Sequence, residues 1–207
     1  MRAGGFDAVI LDVDGTLVDS NDAHAQAFAE VLNIPFERVR PLIGMGADKL
    51  MPELIGRYDE ALAERKKALF KARYLPQLRP FPRVEELLRT LHDRGLRMVA
   101  ASSASEDELD ALLRVAGAQD YVEAGTEADR SKPDPDIVQA ALGKLKLPAA
   151  RCVMVGDTPY DARAAARAGV PFIGLRCGGW PEKDLQPARA VLHDPAELLV
   201  TIELQGI

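Results

Sequence analysis

A chain of 207 residues, 47% hydrophobic and 28% charged, has the length and make-up of a soluble globular protein with a sizeable core. A net charge of -6 leaves no basic face for nucleic acid or an anionic membrane, so any bound phosphate has to be held by local features. No run approaches a membrane span or a secretory leader, and Cys152 and Cys177 have neither metal-like spacing nor a partner pattern; a cytoplasmic protein with reduced thiols is expected.

In chain order, the first apolar run, Phe6 to Leu11, reads as a buried strand that ends in Asp12-Val13-Asp14-Gly15-Thr16-Leu17-Val18. Residues i and i+2 of an extended chain point the same way, so Asp12 and Asp14 can face one site while Gly15 permits a tight turn. Two like charges so close repel. A bound cation, a proton held by one of the pair, or both would resolve this.

From about Asn21 to Gln77 no convincing strand follows, only helical periodicity, including Ala23 to Leu32, Asp48 to Ile55 and Asp59 to Tyr74. An all-helical insertion over residues 19–79 is expected, entered through Val18-Asp19-Ser20 and left through the prolines of Leu78-Arg79-Pro80-Phe81-Pro82. Residues 1–18 and 80–207 then form the core. There, strands at Leu96 to Ala101, Arg151 to Val155, Pro171 to Leu175 and Ala190 to Leu192 alternate with helices at Val84 to Asp93, Glu106 to Val115, Ile137 to Leu145 and Tyr160 to Ala168. Alternation of this kind specifies an α/β fold, a Rossmann-like, mostly parallel sheet flanked by helices.

Three more strand ends or loops carry chemistry. After the second strand, Ser105 and Glu108 fit a capping box, whereas Ser102 is either a phosphoryl contact or a polar turn residue. In Ser131-Lys132-Pro133-Asp134-Pro135-Asp136, Asp134 reads as an N-cap and Pro135 as the first helical residue, which would stiffen the loop around Lys132. A fixed ammonium suits a developing phosphoryl charge. Finally, Gly156-Asp157-Thr158-Pro159-Tyr160-Asp161 projects Asp157 from a strand end, an oxygen ligand of the kind Mg²⁺ favours. Asp161 fits the third position of a capping box opened by Thr158, and could serve the site as well.

These four segments in this order resemble the four motifs of the haloacid dehalogenase-like hydrolases, and the insertion resembles that family's small helical cap; the phosphoglycolate phosphatase and β-phosphoglucomutase-like branches are the nearest in pattern. The resemblance implies a Mg²⁺-dependent phosphatase acting on a small phosphorylated metabolite. Asp12 would attack phosphorus to form an aspartyl-phosphate, while the Asp14 carboxyl retains a proton for the leaving alcohol and later activates water. Asp12, the Asp14 carbonyl and Asp157 would hold the metal with Asp161 in support. Ser102, Ser103, Lys132 and Gly15 would bind phosphoryl oxygens.

The presence of Asp14 disfavours the dehalogenase and phosphonate-cleaving branches, which lack that acid. A β-phosphoglucomutase-like mutase shares all four motifs, and His24 and Lys66 sit where it has cap-linked basic residues. Its cap loop, however, carries an arginine where this chain has Ile43-Gly44-Met45-Gly46. His24 reads as a helix-face residue outside the site. A non-catalytic phosphate-binding module is the third reading. The sequence fixes no place for the cap residues Met45, Lys49 and Arg73, and a monomer and a homodimer are equally compatible with it.

Overall fold

The computed structural model describes residues 5–125 and 130–205. Six short parallel strands form one sheet: β1 (Ala8–Leu11), β2 (Arg97–Ala100), β3 (Val122–Glu123), β4 (Cys152–Gly156), β5 (Phe172–Leu175) and β6 (Ala190–Leu192). Their spatial order is β3-β2-β1-β4-β5-β6, so the strand bearing Asp12 lies in the middle. All four residues of β1 are buried, as a parallel strand covered on both faces requires.

Side chains alternate along β1. Val9 and Leu11 join one apolar layer with α5 (Val84–Asp93), α6 (Glu106–Val115) and α9 (Pro195–Gln205). Ala8 and Ile10 join the opposite layer with α7 (Asp136–Leu145) and α8 (Pro159–Arg167). The period of two places alternate residues of one strand under two helical layers.

Between β1 and α5 lie α1 (Asn21–Leu32), α2 (Phe36–Val39), α3 (Ala47–Ile55) and α4 (Glu60–Leu69), which runs on as a π-helical turn over Phe70–Tyr74. This cap-like region has its own small core of Ala25, Phe28, Ala29, Val39, Ile43, Leu50 and Met51. Its two connections run side by side: Asp19 N donates to Arg79 O at 3.0 Å and Phe81 N to Leu17 O at 3.0 Å.

The structure departs from the sequence reading in four places. The edge strand β3 was not anticipated, because two residues carry no periodicity; it exists by pairing with β2, Val122 opposite Met98. Neither was α9. Helix α7 begins at Asp136 with Pro135 at its cap position, one residue later than expected, and Asp134 instead binds Lys49 and Arg167. Ser105 does precede α6 but makes no side-chain capping bond, and the Glu108 carboxylate, the other half of the expected box, pairs with Lys66 of α4. Residues 1–4 and 206–207, at the ends of the expected core, lie outside the described residues. Among the described residues no helix is long and apolar enough to cross a membrane, and Cys152 and Cys177 are free thiols.

Candidate active site

Register brings the motif residues together. Leu11 pairs with Ala100 on one side and Val155 on the other, so Asp12, Ser102 and Asp157 leave the sheet at nearly one level. Backbone bonds lock this, with Asp12 N donating to Val155 O at 2.9 Å and Ala101 N to Leu11 O at 2.8 Å. The chain turns sharply at Gly15, φ +73°, where a Cβ would stand 2.1 Å from Asn21 Nδ2 and 2.3 Å from Asp157 Oδ2. Only glycine fits there. The Gly15 N–H is committed to Val18 O at 2.8 Å, so Gly15 shapes the turn and does not offer that donor to a phosphoryl group.

Asp12, Asp157 and Asp161 are buried and place one carboxylate oxygen each within 4.8 Å of the others. One ammonium lies among them. Lys132, 2% exposed, pairs with Asp12 Oδ1 and lies 2.7 Å from Asp161 Oδ1. Thr16 Oγ1 sits 3.2 Å from Asp12 Oδ2 and 3.0 Å from Asp157 Oδ1, so its single proton serves one of them at a time. Asp161 Oδ2 accepts from Thr158 N and Thr158 Oγ1 at 3.0 and 2.6 Å; the expected capping box of α8 is present.

Burial, only partly offset by Lys132, raises the Asp12 pKa to about 7. Burial and the neighbouring charges of Asp12 and Asp161 push Asp157 well above the usual carboxylate range. Lys132 is shifted upward in spite of its burial, because Asp12 and Asp161 hold its charge.

Asp14 faces the other way. Its Oδ1 accepts from Ser20 Oγ at 2.5 Å and lies 2.8 Å from His24 Nε2. Against burial, which alone would raise it, His24 and Ser20 bring the Asp14 pKa down to about 2. Burial and these neighbours thus move Asp12 upward and Asp14 downward, whereas the sequence reading has Asp12 ionised by the metal and Asp14 protonated.

His24, read from sequence as lying outside the site, is buried within it, stacked on Phe70 at 3.9 Å between ring centres. Lys66 Nζ lies 3.0 Å from His24 Nδ1 and 3.3 Å from Glu108 Oε1. An ammonium can only donate, so His24 Nδ1 accepts and Nε2–H points at Asp14. No local signal in the sequence joins these four residues, which come from the first motif, α1, α4 and α6.

Asp12, Asp14, Lys132, Ser102 and Ser103 line a cavity of about 210 Å³ under the cap. Ser102 Oγ accepts from Ala104 N at 3.1 Å. From the cap come the apolar Phe28, Ile43, Met45, Ala47 and Ala63 together with the charged or titratable His24, Glu64, Lys66 and Lys67. Lys49 instead pairs with Asp134, and Arg73 with Glu30 on the exposed side.

The donor set fits a hard divalent cation: the cluster offers only oxygen, and three buried carboxylates share one ammonium. Asp12 and Asp157 would hold such an ion with Asp161 beside them. Ser20 and His24 both engage Asp14 Oδ1 and turn that carboxylate oxygen toward α1, and the main-chain carbonyl of Asp14 is the group that would serve the metal role expected of it.

A family model described as haloacid dehalogenase-like hydrolase matches residues 6–169. The chain is 33% identical over 186 residues to a probable phosphatase IndB of Dickeya dadantii, covering 82% of this chain and 81% of that protein. It is 32% identical over 192 residues to a phosphoglycolate phosphatase of Rhodospirillum rubrum, covering 83% and 80%. A crystal structure of a hydrolase from Pseudomonas syringae superposes with a TM-score of 0.87 at 29% identity, covering 97% of this chain and 99% of that one.

Proposed function

This chain belongs to the haloacid dehalogenase-like hydrolase family, and we propose that it is a Mg²⁺-dependent phosphomonoesterase acting on a small phosphorylated metabolite through an aspartyl-phosphate. The observation that carries this reading is the cluster of three buried carboxylates, two of them bridged by Lys132, with Asp12 and Lys132 lining a cavity that Asp14 also lines. When bound, the cation would neutralise phosphoryl oxygens and keep the Asp12 carboxylate ionised.

Asp12 is the nucleophile: its oxygen bonds phosphorus as the bond to the leaving alcohol breaks, and water later cleaves the aspartyl-phosphate. Lys132 and Ser102 steady the phosphoryl oxygens, with Ser103 at the same strand end. Asp14 exchanges protons with the leaving oxygen and then with the attacking water; His24 and Ser20 hold it ionised before substrate binds, so it takes up the proton it delivers as the phosphoryl charge enters the pocket. Its hydrogen bond to His24, backed by Lys66, positions it for both steps.

The cap wall of Phe28, Ile43, Met45, Ala47 and Ala63 supports a leaving group with carbon surface to bury.

Phosphate release from an aryl phosphate with Mg²⁺ tests the proposal, with Asp12→Asn as the blank. Full activity in that variant, or after thorough chelation, would reject it. A screen of phosphoglycolate, sugar phosphates, polyol phosphates and nucleotides would then identify the leaving group. Phosphorus NMR separates release from transfer within a hexose phosphate.

A further inference from the structure

We infer that Asn21 is a positioning residue for Asp157, holding that carboxylate for the cation and tying it to the root of the cap. The inference rests on the metal-dependent reading above. Asn21 opens α1 yet does none of the work of a helix start: the cap position belongs to Ser20, and no side chain caps this helix. Its side chain turns inward instead, at 3% exposure, and reaches the carboxyl end of β4, the neighbour of β1.

There the amide donates to Asp157 Oδ2 at 2.7 Å and to Gly178 O at 3.2 Å. Both acceptors need an N–H, so the amide has one workable orientation; turned over, it would set its oxygen against two others. With Thr16 Oγ1 3.0 Å from Oδ1, the Asp157 carboxylate is addressed at each oxygen by the protein, and each oxygen keeps a lone pair for a cation.

Close packing enforces the arrangement. A Cβ at Gly178 would lie 1.7 Å from Asp157 Oδ2, so the Arg176–Gly178 turn presses directly on the carboxylate. The Gly15 turn presses on Asn21 from the opposite side. The same Gly178 carbonyl also accepts from Arg40 Nη2 at 2.6 Å, and Arg40 Nε donates to Asp22 Oδ1 at 2.6 Å. One carbonyl thus joins the first turn of α1, the turn after α2 and the metal-side carboxylate.

The Asn21 Oδ1 is buried with no donor among the described residues, so the side chain's polar work is done by its amide N–H groups on Asp157 and Gly178.

The test is Mn²⁺ binding by titration calorimetry to the full chain, in the wild type, Asn21→Ala and Asn21→Ser, alongside the melting temperature in chelator. Removing a residue that orients a metal ligand typically weakens metal binding by about 10- to 100-fold. We expect a loss in that range in both variants while both remain folded in chelator. A residue that served packing alone would lower the metal-free melting temperature and leave Mn²⁺ affinity within about twofold of wild type, which would overturn the inference. If Asn21→Ala does not fold, Asn21→Ser, which keeps a residue suited to a helix start, decides by the same criterion. A wild type that binds no Mn²⁺ rejects the phosphatase reading and this inference together; a wild type that binds it, with undiminished variants, rejects this inference alone.

Discussion

Asp12 and Asp14 stand two residues apart and are driven in opposite directions, Asp12 to about 7 by burial and Asp14 to about 2 by His24 and Ser20. The consequence for stability follows from where each holds its proton. Between 3.8, the ordinary value, and about 7, the folded chain binds the Asp12 proton more tightly than the unfolded chain does, so stability falls as pH rises through that window. Asp157 acts in the same sense. Asp14 stabilises fully above 3.8 and loses that contribution only as pH falls toward 2, outside the window. The melting temperature of chelated protein should therefore drop between about pH 5 and pH 8, and saturating Mg²⁺ should raise it more at the higher pH. An equal Mg²⁺ effect at both would show that protons and metal do not compete at these carboxylates. Replacing Lys132 by Met leaves the buried acids without their ammonium and should cost about 3–5 kcal/mol in chelated protein, read by urea denaturation. His24→Ala removes the donor that orients Asp14 and should lower kcat roughly 10²-fold with little change in KM; an unchanged kcat would make His24 a packing residue. The aspartates were legible because charge at the end of an apolar run is costly without a use. His24 was not, because a histidine on a helix face signals nothing until α4 and α6 bring Lys66 and Glu108 to it.

Helices that start on local chemistry were read correctly, and those whose caps answer to distant partners were not. Thr158, Pro159 and Asp161 form a complete capping box within one turn, so the sequence alone contains every atom that matters. Ser105 and Glu108 have the same spacing, yet Glu108 bonds Lys66, 42 residues away, and Ser105 Oγ is buried without a partner. Strands divide the same way: β1 and β4 are continuous apolar runs, whereas the two residues of β3 become a strand only by lying beside β2. The intact box makes a separable prediction. Thr158→Ala should cost about 1 kcal/mol of stability, the usual loss for a helix N-cap, measured by urea denaturation. It also strips both hydroxyl contacts from Asp161, one to Oδ2 and one to its N–H, and would leave the carboxylate to Lys132 and the backbone N–H of residue 158. A cost near zero would mean that burial of α8, not its cap, sets its start.

At the scale of the whole molecule, the cap is fastened on two sides of the cavity. Lys66 of α4 reaches Glu108 of α6 at 3.3 Å on one side. On the other, Gly46 N donates to Ser131 Oγ at 3.2 Å, Ser131 Oγ to Asp48 Oδ1 at 2.6 Å, and Lys49 pairs with Asp134. Tyr160 OH donates to Pro41 O at 2.7 Å, reaching from α8 into the cap. Beside these polar contacts, Ala27 of α1 and Phe70 of the π-helical turn are buried in the apolar layer of Val9 and Leu11. The cap's own core of Phe28, Leu50 and Met51 forms a cluster apart from that layer, so movement of the cap would turn about the paired connections at Leu17–Phe81 and Asp19–Arg79 and the buried Ala27 and Phe70 beside them. Closure would exclude water from an aspartyl-phosphate, and opening would release product. The chain offers its own reporter: Trp180, the single tryptophan, meets the Tyr160 ring edge-on at 6.1 Å, and that tyrosine holds Pro41 of the cap. Opening frees the tyrosine hydroxyl and wets this corner, so Mg²⁺ with inorganic phosphate, which favour closure, should shift Trp180 emission to shorter wavelength. Tyr160→Phe removes a bond worth about 1 kcal/mol from the closed form alone, so its shift should need several-fold more phosphate and its KM should rise by the same factor. Emission that ignores phosphate in the wild type, or a Tyr160→Phe titration that overlays it, would mean that this contact does not report or bias the position of the cap.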